Sequence, residues 1–478
     1  MIDMIAALLG GVLYGLIIGI IPAAGATTGL IALFGFISYF IHEPYLGVIF
    51  LMAVVAASTT GDSFTAILLG IPGANSAAAT MVDGFPLAQK GRAGYAISAA
   101  VTTSTVNGLI WGCLVFLLLP WYTNLIMIFG VPELWAFTVL ALATVGFLSN
   151  KYWFRTILAI ALGILIGLVG VDPENNEPRF TMGWFYLEDG VQIMAVAAGL
   201  FAIPELTKGL FTKTSTATGE IAKGELWAGM KAVWRNRWLA LRGGFIGAFI
   251  GLLPGLGGQM ADWLAYGSAV ASNPKEKFGN GNIKGVIGPE GANNSQKATS
   301  MVTTVIFGIP GAKFAAILMS LFMYLNIELG TPDIVEDTQF FTSMTFGFLG
   351  ATIIVAFICM FLIKPISKIA SVPYKYYFPV LLALIIFTSM QYTGGWEDLA
   401  MLAVFSCIGF AMRHYKFSRP AMLIGYILAE KVEGLTLQIT GLYTVETLIT
   451  RPIFMSLVAC IIGVFAYSIF RKGRIDYA

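Results

Sequence analysis

The groups able to do chemistry in this chain gather beside prolines and glycines inside otherwise apolar sequence. Ser58-Thr59-Thr60-Gly61-Asp62-Ser63 leads into Gly70-Ile71-Pro72-Gly73, with Asn75 and Ser76 after it. Glu290, Asn293, Asn294, Ser295, Gln296 and Lys297 lead into Gly308-Ile309-Pro310-Gly311, with Lys313 after it. Thr27 and Thr28 follow Pro22 and Gly25, while Gln259 and Asp262 follow Pro254, Gly255 and Gly257. Proline removes a backbone donor and glycine tolerates positive φ, so each Pro–Gly pair breaks a helix. In a membrane such a break must face protein or a wet cavity. A helix N-terminus presents free N–H groups and partial positive charge, which suit a carboxylate. Carbonyls at the opposite ends suit a cation.

Substrate-facing positions are therefore expected at Gly73, Asn75, Ser76, Asn293, Asn294, Gly311 and Lys313. Thr28, Asp62 and Gln259 are the candidates for a coupling cation. Pro22, Gly25, Pro72, Pro254, Gly255, Gly257 and Pro310 are the expected helix breaks. Each has a plainer alternative. Asp62 can pair within a bundle, Glu290 can cap a helix at the interface, and Lys297 and Lys313 can snorkel to the membrane surface. His42 and His414 fall in loops. No metal centre, catalytic residue or cofactor is expected; the coupling ion is sodium or a proton.

The elements that must position these residues are transmembrane helices. The chain of 478 residues is 57% hydrophobic and only 11% charged, against about 25% charged in soluble domains. Its mean hydropathy is +0.81. Apolar runs near the length of a bilayer crossing recur throughout, for example Met344–Ile363 and Pro452–Ile469. A net charge of +2 gives no reason to expect a nucleic-acid partner. Cys113, Cys359, Cys407 and Cys460 all lie in apolar runs and are expected to be small core residues.

Lys- and Arg-rich loops mark the cytoplasmic side. They are Gln89–Arg92, Lys151–Arg155, Lys208–Arg242, Lys364–Lys375, Arg413–Arg419 and the tail from Arg471. They alternate with loops poor in basic residues around Asp172–Glu177, Glu328–Asp337 and Glu397–Asp398. The C-terminus is then cytoplasmic, and the fold expected is an all-α polytopic membrane protein with roughly 12 transmembrane segments.

The two halves repeat. Gly11, Gly15, Gly19, Pro22 and Gly25 match Gly243, Gly247, Gly251, Pro254 and Gly257 at one constant offset. The two Gly-Ile-Pro-Gly tips form a second matched pair. The loop charges set the halves in opposite orientations, which makes an inverted repeat with broken or re-entrant helices. Secondary transporters are commonly built so, with substrate near the midplane. The glycines themselves read as helix-packing positions. The expected organisation is a first repeat at 1–206, a cytoplasmic linker at 207–242 with a short surface helix around Glu225–Arg237, a second repeat at 243–435, and a C-terminal transmembrane helix with a basic tail at 436–478.

With these motifs in hand, the chain resembles the large membrane subunit of the tripartite tricarboxylate transporters. The resemblance rests on the glycine–proline run Gly247–Gly257, Pro289-Glu290 with Asn293-Asn294, the two Gly-Ile-Pro-Gly tips, and Asp83-Gly84-Phe85-Pro86-Leu87-Ala88 followed by Gly91-Arg92-Ala93-Gly94. It implies a bacterial inner-membrane permease subunit. Its partners would be a periplasmic solute-binding protein, a small four-helix membrane subunit, membrane lipid and a small carboxylate. It also implies uptake driven by a cation gradient, and the chain has no phosphate-binding loop of the Gly-x-x-x-x-Gly-Lys-Ser/Thr kind. Two other readings compete: an uncoupled anion channel or exporter, and an intramembrane hydrolase using a pair such as Asp62 and Asp262.

Overall fold

The computed structural model describes residues 2–21, 25–70, 77–118, 130–148, 153–171, 177–204, 206–207, 224–253, 257–363, 365, 374–390, 393 and 395–470. The first half contains α1 Ile2–Ile20, α2 Gly25–Ala32, α3 Pro44–Leu69, α4 Ala78–Gln89, α5 Ala93–Leu118, α6 Val131–Leu148, α7 Trp153–Gly167 and α8 Ile193–Ala197, which continues into a π-turn at Ala198–Ala202. The second contains α9 Glu225–Arg235, α10 Arg237–Gly251, α11 Gly257–Ser272, α12 Lys284–Phe307, α13 Lys313–Tyr324 and α14 Thr338–Phe361. It ends with α15 Tyr374–Ser389, α16 Trp396–His414, α17 Arg419–Ile427, α18 Ala429–Leu442 and α19 Pro452–Phe470. A two-residue antiparallel pairing, Gly170–Val171 with Pro178–Arg179, supplies the strand content among the described residues.

Local sequence explains where several helices start and stop. Proline opens α3, where a missing N–H costs nothing. Asp337 caps α14 by accepting from the N–H of Phe340 at 2.9 Å. The two Gly-Ile-Pro-Gly tips begin with the same C-cap. Gly70 ends α3 at φ 62° and bonds back to the Thr65 carbonyl, and Gly308 ends α12 at φ 58° and bonds back to the Thr303 carbonyl. Only glycine takes this left-handed conformation without cost.

The glycine ladders set two equivalent helix pairs. A Cβ on Gly11, Gly15 or Gly19 would meet the carbonyls of Phe50, Val54 and Ser58 on α3, at 2.5, 2.7 and 2.3 Å. A Cβ on Gly243, Gly247 or Gly251 would meet the carbonyls of Gly288, Ala292 and Gln296 on α12, at 2.4, 2.3 and 2.5 Å. The contacted carbonyls match across the halves at the offset of the Gly-Ile-Pro-Gly tips. Thus α1 lies on α3 as α10 lies on α12, and the ladders are packing devices.

Helices α3 and α12 also cross each other. Lys297 donates to the Thr59 hydroxyl, and the Ser63 hydroxyl donates to Glu290 at 2.8 Å. Moving forward along α3 therefore moves backward along α12, so the equivalent helices run antiparallel. Thr59 and Lys297 hold equivalent positions in the two halves and touch, as residues on a two-fold axis must. This is the geometry of an inverted repeat.

Four described helices are long and apolar enough to span a bilayer: α1, α3, α5 and α14. Shorter apolar helices accompany them, including parts of α6, α7, α13 and α19. Helix α12 fails the test because of its polar side chains, yet every residue from Gly285 to Phe307 is buried. It is an inner helix, screened by α3, α5, α10 and α11.

The outer helices present apolar stripes. On α1, Ile5, Leu9, Leu13 and Ile17 are exposed at helical spacing, and on α14 Ile353, Phe357 and Phe361 are exposed. In water such stripes would cost about 25 cal/mol per Å², whereas hydrocarbon accepts them. Helix α9 exposes Trp227 and Trp234, with Trp238 just beyond at the start of α10, and Arg237 lies over the rings of both Trp234 and Trp238. Its other side is pinned to α5, where Glu225 accepts from the N–H of Gly94 at 3.0 Å. A short helix thus forms where one was expected near Glu225–Arg237. The cysteines divide. Cys359 is buried, but Cys407 and Cys460 are exposed on outward helix faces and Cys113 is intermediate, so core packing accounts for only one of them fully.

Candidate functional site

Where α3 crosses α12, four ionisable side chains are buried together. Asp62 comes from α3, Glu290 and Lys297 from α12, and Asp262 from α11. Asp62 and Glu290 are 0% exposed, Asp262 1% and Lys297 5%. Their charges act on one another. Glu290 and Lys297 are seven residues apart, two helical turns, and so share one stripe of α12.

Polar groups hold part of this cluster. The Oε1 of Glu290 accepts from Ser63 on α3 and from Thr80 on α4, both at 2.8 Å. Lys297 donates to Thr59, and its Nζ stands 5.7 Å from the centre of the Phe314 ring. The remaining capacity is large. The Oε2 of Glu290, both carboxylate oxygens of Asp62 and of Asp262, the Thr60 hydroxyl, both amide atoms of Asn294 and the Gln296 Nε2 are buried without a hydrogen-bond partner. Buried polar groups are normally satisfied, so each of these exceptions calls for an explanation. If all four groups are ionised, three carboxylates face one ammonium and two negative charges stay uncompensated. A buried, unmatched charge costs several kcal/mol, so protons or a bound cation must restore balance.

A hydroxyl-rich stretch of α5 adjoins α12. Thr102, Ser104, Thr105 and the Oδ1 of Asn107 also lack partners. Gly108 of α5 makes room for Asn294: a Cβ there would lie 3.1 Å from the Asn294 Cβ.

Asp62, Asn293 and Asn294 are thus buried at or beside the crossing. Glu290 as an interfacial cap and Lys297 as a snorkelling side chain do not fit their burial, Glu290 in the second turn of α12 and Lys297 near its middle. Thr28 is buried on the short helix α2. Gly25 has φ 60° at the start of α2, a conformation fit for a break. Pro310 and Gly311 form the connector between α12 and α13, and the Gly311 N–H donates to the Thr304 hydroxyl at 3.3 Å. Lys313 opens α13 half-buried, with its Nζ 5.6 Å from the centre of the Phe201 ring, a ring that Arg419 also covers. Gly257 begins α11. Pro22, Pro72, Gly73, Asn75, Ser76, Pro254 and Gly255 lie outside the described residues, as does the side chain of Gln259.

Glu290, Lys297 and Asp262 stand among the chemistry-bearing groups of the sequence, but residue order alone assigns none of them to substrate or cation. The available signal was an acid and a base two turns apart on one helix. The Asp83-Gly84-Phe85-Pro86 segment has a structural explanation. The Oδ1 of Asp83 accepts from the N–H groups of Gly281 and Asn282 at 2.9 and 2.8 Å, and its Oδ2 accepts from Tyr266 at 3.0 Å. It ties α4 to the loop that feeds α12. Gly84 lies against Ile67 and Phe85 against Gly70. At the far end of α12, Lys431 donates to the Phe307 carbonyl and so neutralises the helix terminus.

Comparison with known proteins agrees with this architecture. Over 428 residues the chain is 28% identical to the "Uncharacterized 52.8 kDa protein in TAR-I ttuC' 3'region" of Agrobacterium vitis, covering 88% of this chain and 84% of that one. Over 192 residues it is 27% identical to the "Uncharacterized protein in TAR-II ttuC' 3'region" of the same organism, covering 39% of this chain and 78% of the relative. No solved structure matches the chain. Residues 5–424 match the model of the tripartite tricarboxylate transporter TctA family. The chain therefore belongs to the TctA family and is a multi-pass membrane subunit of a tripartite tricarboxylate transporter.

Proposed function

We propose that this subunit forms the permeation path for uptake of small organic carboxylates across the bacterial cytoplasmic membrane, driven by a cation gradient. A periplasmic binding protein delivers the substrate, and a small four-helix membrane subunit completes the complex. The observation that carries this reading is the buried Asp62–Asp262–Glu290–Lys297 cluster at the antiparallel crossing of the two repeats. An ionisable group at membrane depth is costly, and its default reading is therefore functional. Here the surplus of carboxylates calls for a cation, and a site on the axis between repeats is reached from either side as the halves move.

Substrate recognition falls to neutral donors and helix ends: Asn293, Asn294, Gly311, Lys313 and the tip residues Gly73, Asn75 and Ser76. Asp62, Thr28 and Gln259, joined by Asp262 and Glu290, serve the cation. Asparagine amides bind a carboxylate without adding charge, which suits positions beside an acidic cluster. Replacing Asn293 and Asn294 together by alanine abolishes uptake of labelled citrate, while the amount of protein in the membrane is unchanged. Wild-type uptake by that variant would remove both residues from the site.

A further inference from the structure

We propose that α9 and the first turn of α10 form a binding site for anionic phospholipid, with their tryptophans at the level of the headgroups. This inference stands apart from the substrate and the coupling ion.

Helix α9 has two unlike faces. Gly229, Ala232 and Val233 are buried. The fit on that side is close: a Cβ on Gly229 would lie 2.6 Å from the Tyr95 carbonyl of α5. The other face carries Trp227, Lys231, Trp234 and Arg235, all exposed, at spacings that put them on one side of a helix. Arg237 and Trp238 extend it. The guanidinium carbon of Arg237 stands 5.6 Å from the centre of the Trp234 ring and 5.9 Å from that of Trp238. Trp227, Trp234 and Trp238 are 69%, 71% and 74% exposed, so no described part of the chain covers them. Clustered apolar side chains left open in this way mark a protein or membrane contact.

Charge is the first argument for lipid. From Glu225 to Gly251 the basic residues are Lys231, Arg235, Arg237 and Arg242, and the single acid is Glu225. That carboxylate turns inward, accepting from the N–H of Gly94 at 3.0 Å. Arg242 is engaged by the Ser272 hydroxyl at 2.6 Å. Arg237 gives one N–H to the Trp234 carbonyl at 3.4 Å and keeps the rest of its donors. Lys231, Arg235 and Arg237 are therefore placed to meet an anion, and the guanidinium fork suits phosphate.

Composition is the second. Lysine is depleted from the cores of protein interfaces, whereas tryptophan interleaved with lysine and arginine suits a helix at the membrane surface. Indole joins an apolar body to one polar N–H and favours headgroup depth. Continuity is the third. On α10, Trp238, Phe245 and Phe249 are all exposed, seven and then four residues apart, as one stripe. Trp238 ends that apolar stripe, and α9 joins it through the helix break at Asn236. The cationic face thus adjoins the surface that hydrocarbon covers.

The test places the full chain in vesicles of phosphatidylcholine and phosphatidylglycerol. One lipid or the other carries brominated acyl chains, which quench indole fluorescence on contact. The signal of this site is the difference between the native chain and a variant with Trp227→Phe, Trp234→Phe and Trp238→Phe. The proposal expects stronger quenching by brominated phosphatidylglycerol than by brominated phosphatidylcholine at equal share. One cation beside an anionic lipid surface is worth about a fivefold enrichment. Combining Lys231→Gln, Arg235→Gln and Arg237→Gln should make the two lipids equivalent while quenching itself persists. Equal quenching by both lipids in the native chain, or a preference that survives the three glutamines, overturns the proposal. So does the absence of quenching by either lipid. Quenching that vanishes when the small membrane subunit is added assigns this face to that protein and overturns the lipid site as well.

Discussion

Replacing Lys297 by methionine removes the single cation of the buried cluster while keeping most of its side-chain volume. Lys297 is 5% exposed, so water cannot compensate. Three carboxylates would then face one another with no ammonium. Breaking a buried ionic network by removing one partner costs about 3–5 kcal/mol, mostly through the charges left behind. Adding Glu290→Gln to this variant returns the cluster to its original formal charge. The glutamine carbonyl still accepts from Ser63 and Thr80, which donate at 2.8 Å in the native chain. The double variant should therefore recover most of the loss, with a coupling energy well above the ~0.5 kcal/mol within which independent sites add. Unfolding in mixed micelles, followed by the fluorescence of the 10 tryptophans, measures all three variants. A loss below about 1 kcal/mol for Lys297→Met, or simple additivity in the double variant, would refute the claim that these groups form one electrostatic unit.

Two further predictions concern the frame. A Cβ at Gly247 would lie 2.3 Å from the Ala292 carbonyl, so Gly247→Ala forces α10 away from α12 and destabilises by about 1–3 kcal/mol. Gly267→Ala, where nothing lies within 4 Å, is the control and should be neutral or slightly stabilising in the same unfolding assay. Asp83→Ala strips acceptors from Gly281, Asn282 and Tyr266 and should cost about 3 kcal/mol or more, with protease cleavage appearing first in the loop around Gly279–Asn282.

Much of this arrangement can be read from residue order, because the signals are local. Glycines at four-residue intervals announce a helix face that touches another backbone. The structure shows that contact in both halves. Gly-Ile-Pro-Gly announces a helix end, and Gly70 and Gly308 are the matching left-handed caps. Asp62 stood out because an acid in apolar sequence is expensive. Convergence was harder to read. Nothing local says that Asp262 of α11 meets Glu290 of α12, or that Lys297 turns inward to Thr59 rather than snorkelling. Those outcomes depend on α12 being enclosed by α3, α5, α10 and α11. The same enclosure explains why a hydropathy scan passes over α12: its polar side chains never face lipid, so they need not be apolar. The Asp83 segment entered only as part of the family resemblance; the structure shows its residues bracing α4 against the entry to α12.

The most direct test of the central claim is uptake of labelled small carboxylates into proteoliposomes. They contain this chain with its small membrane subunit, the binding protein is added outside, and a proton or sodium gradient is imposed or withheld. The account predicts accumulation that requires both the binding protein and a sodium or proton gradient. Equal uptake with every gradient collapsed would contradict it.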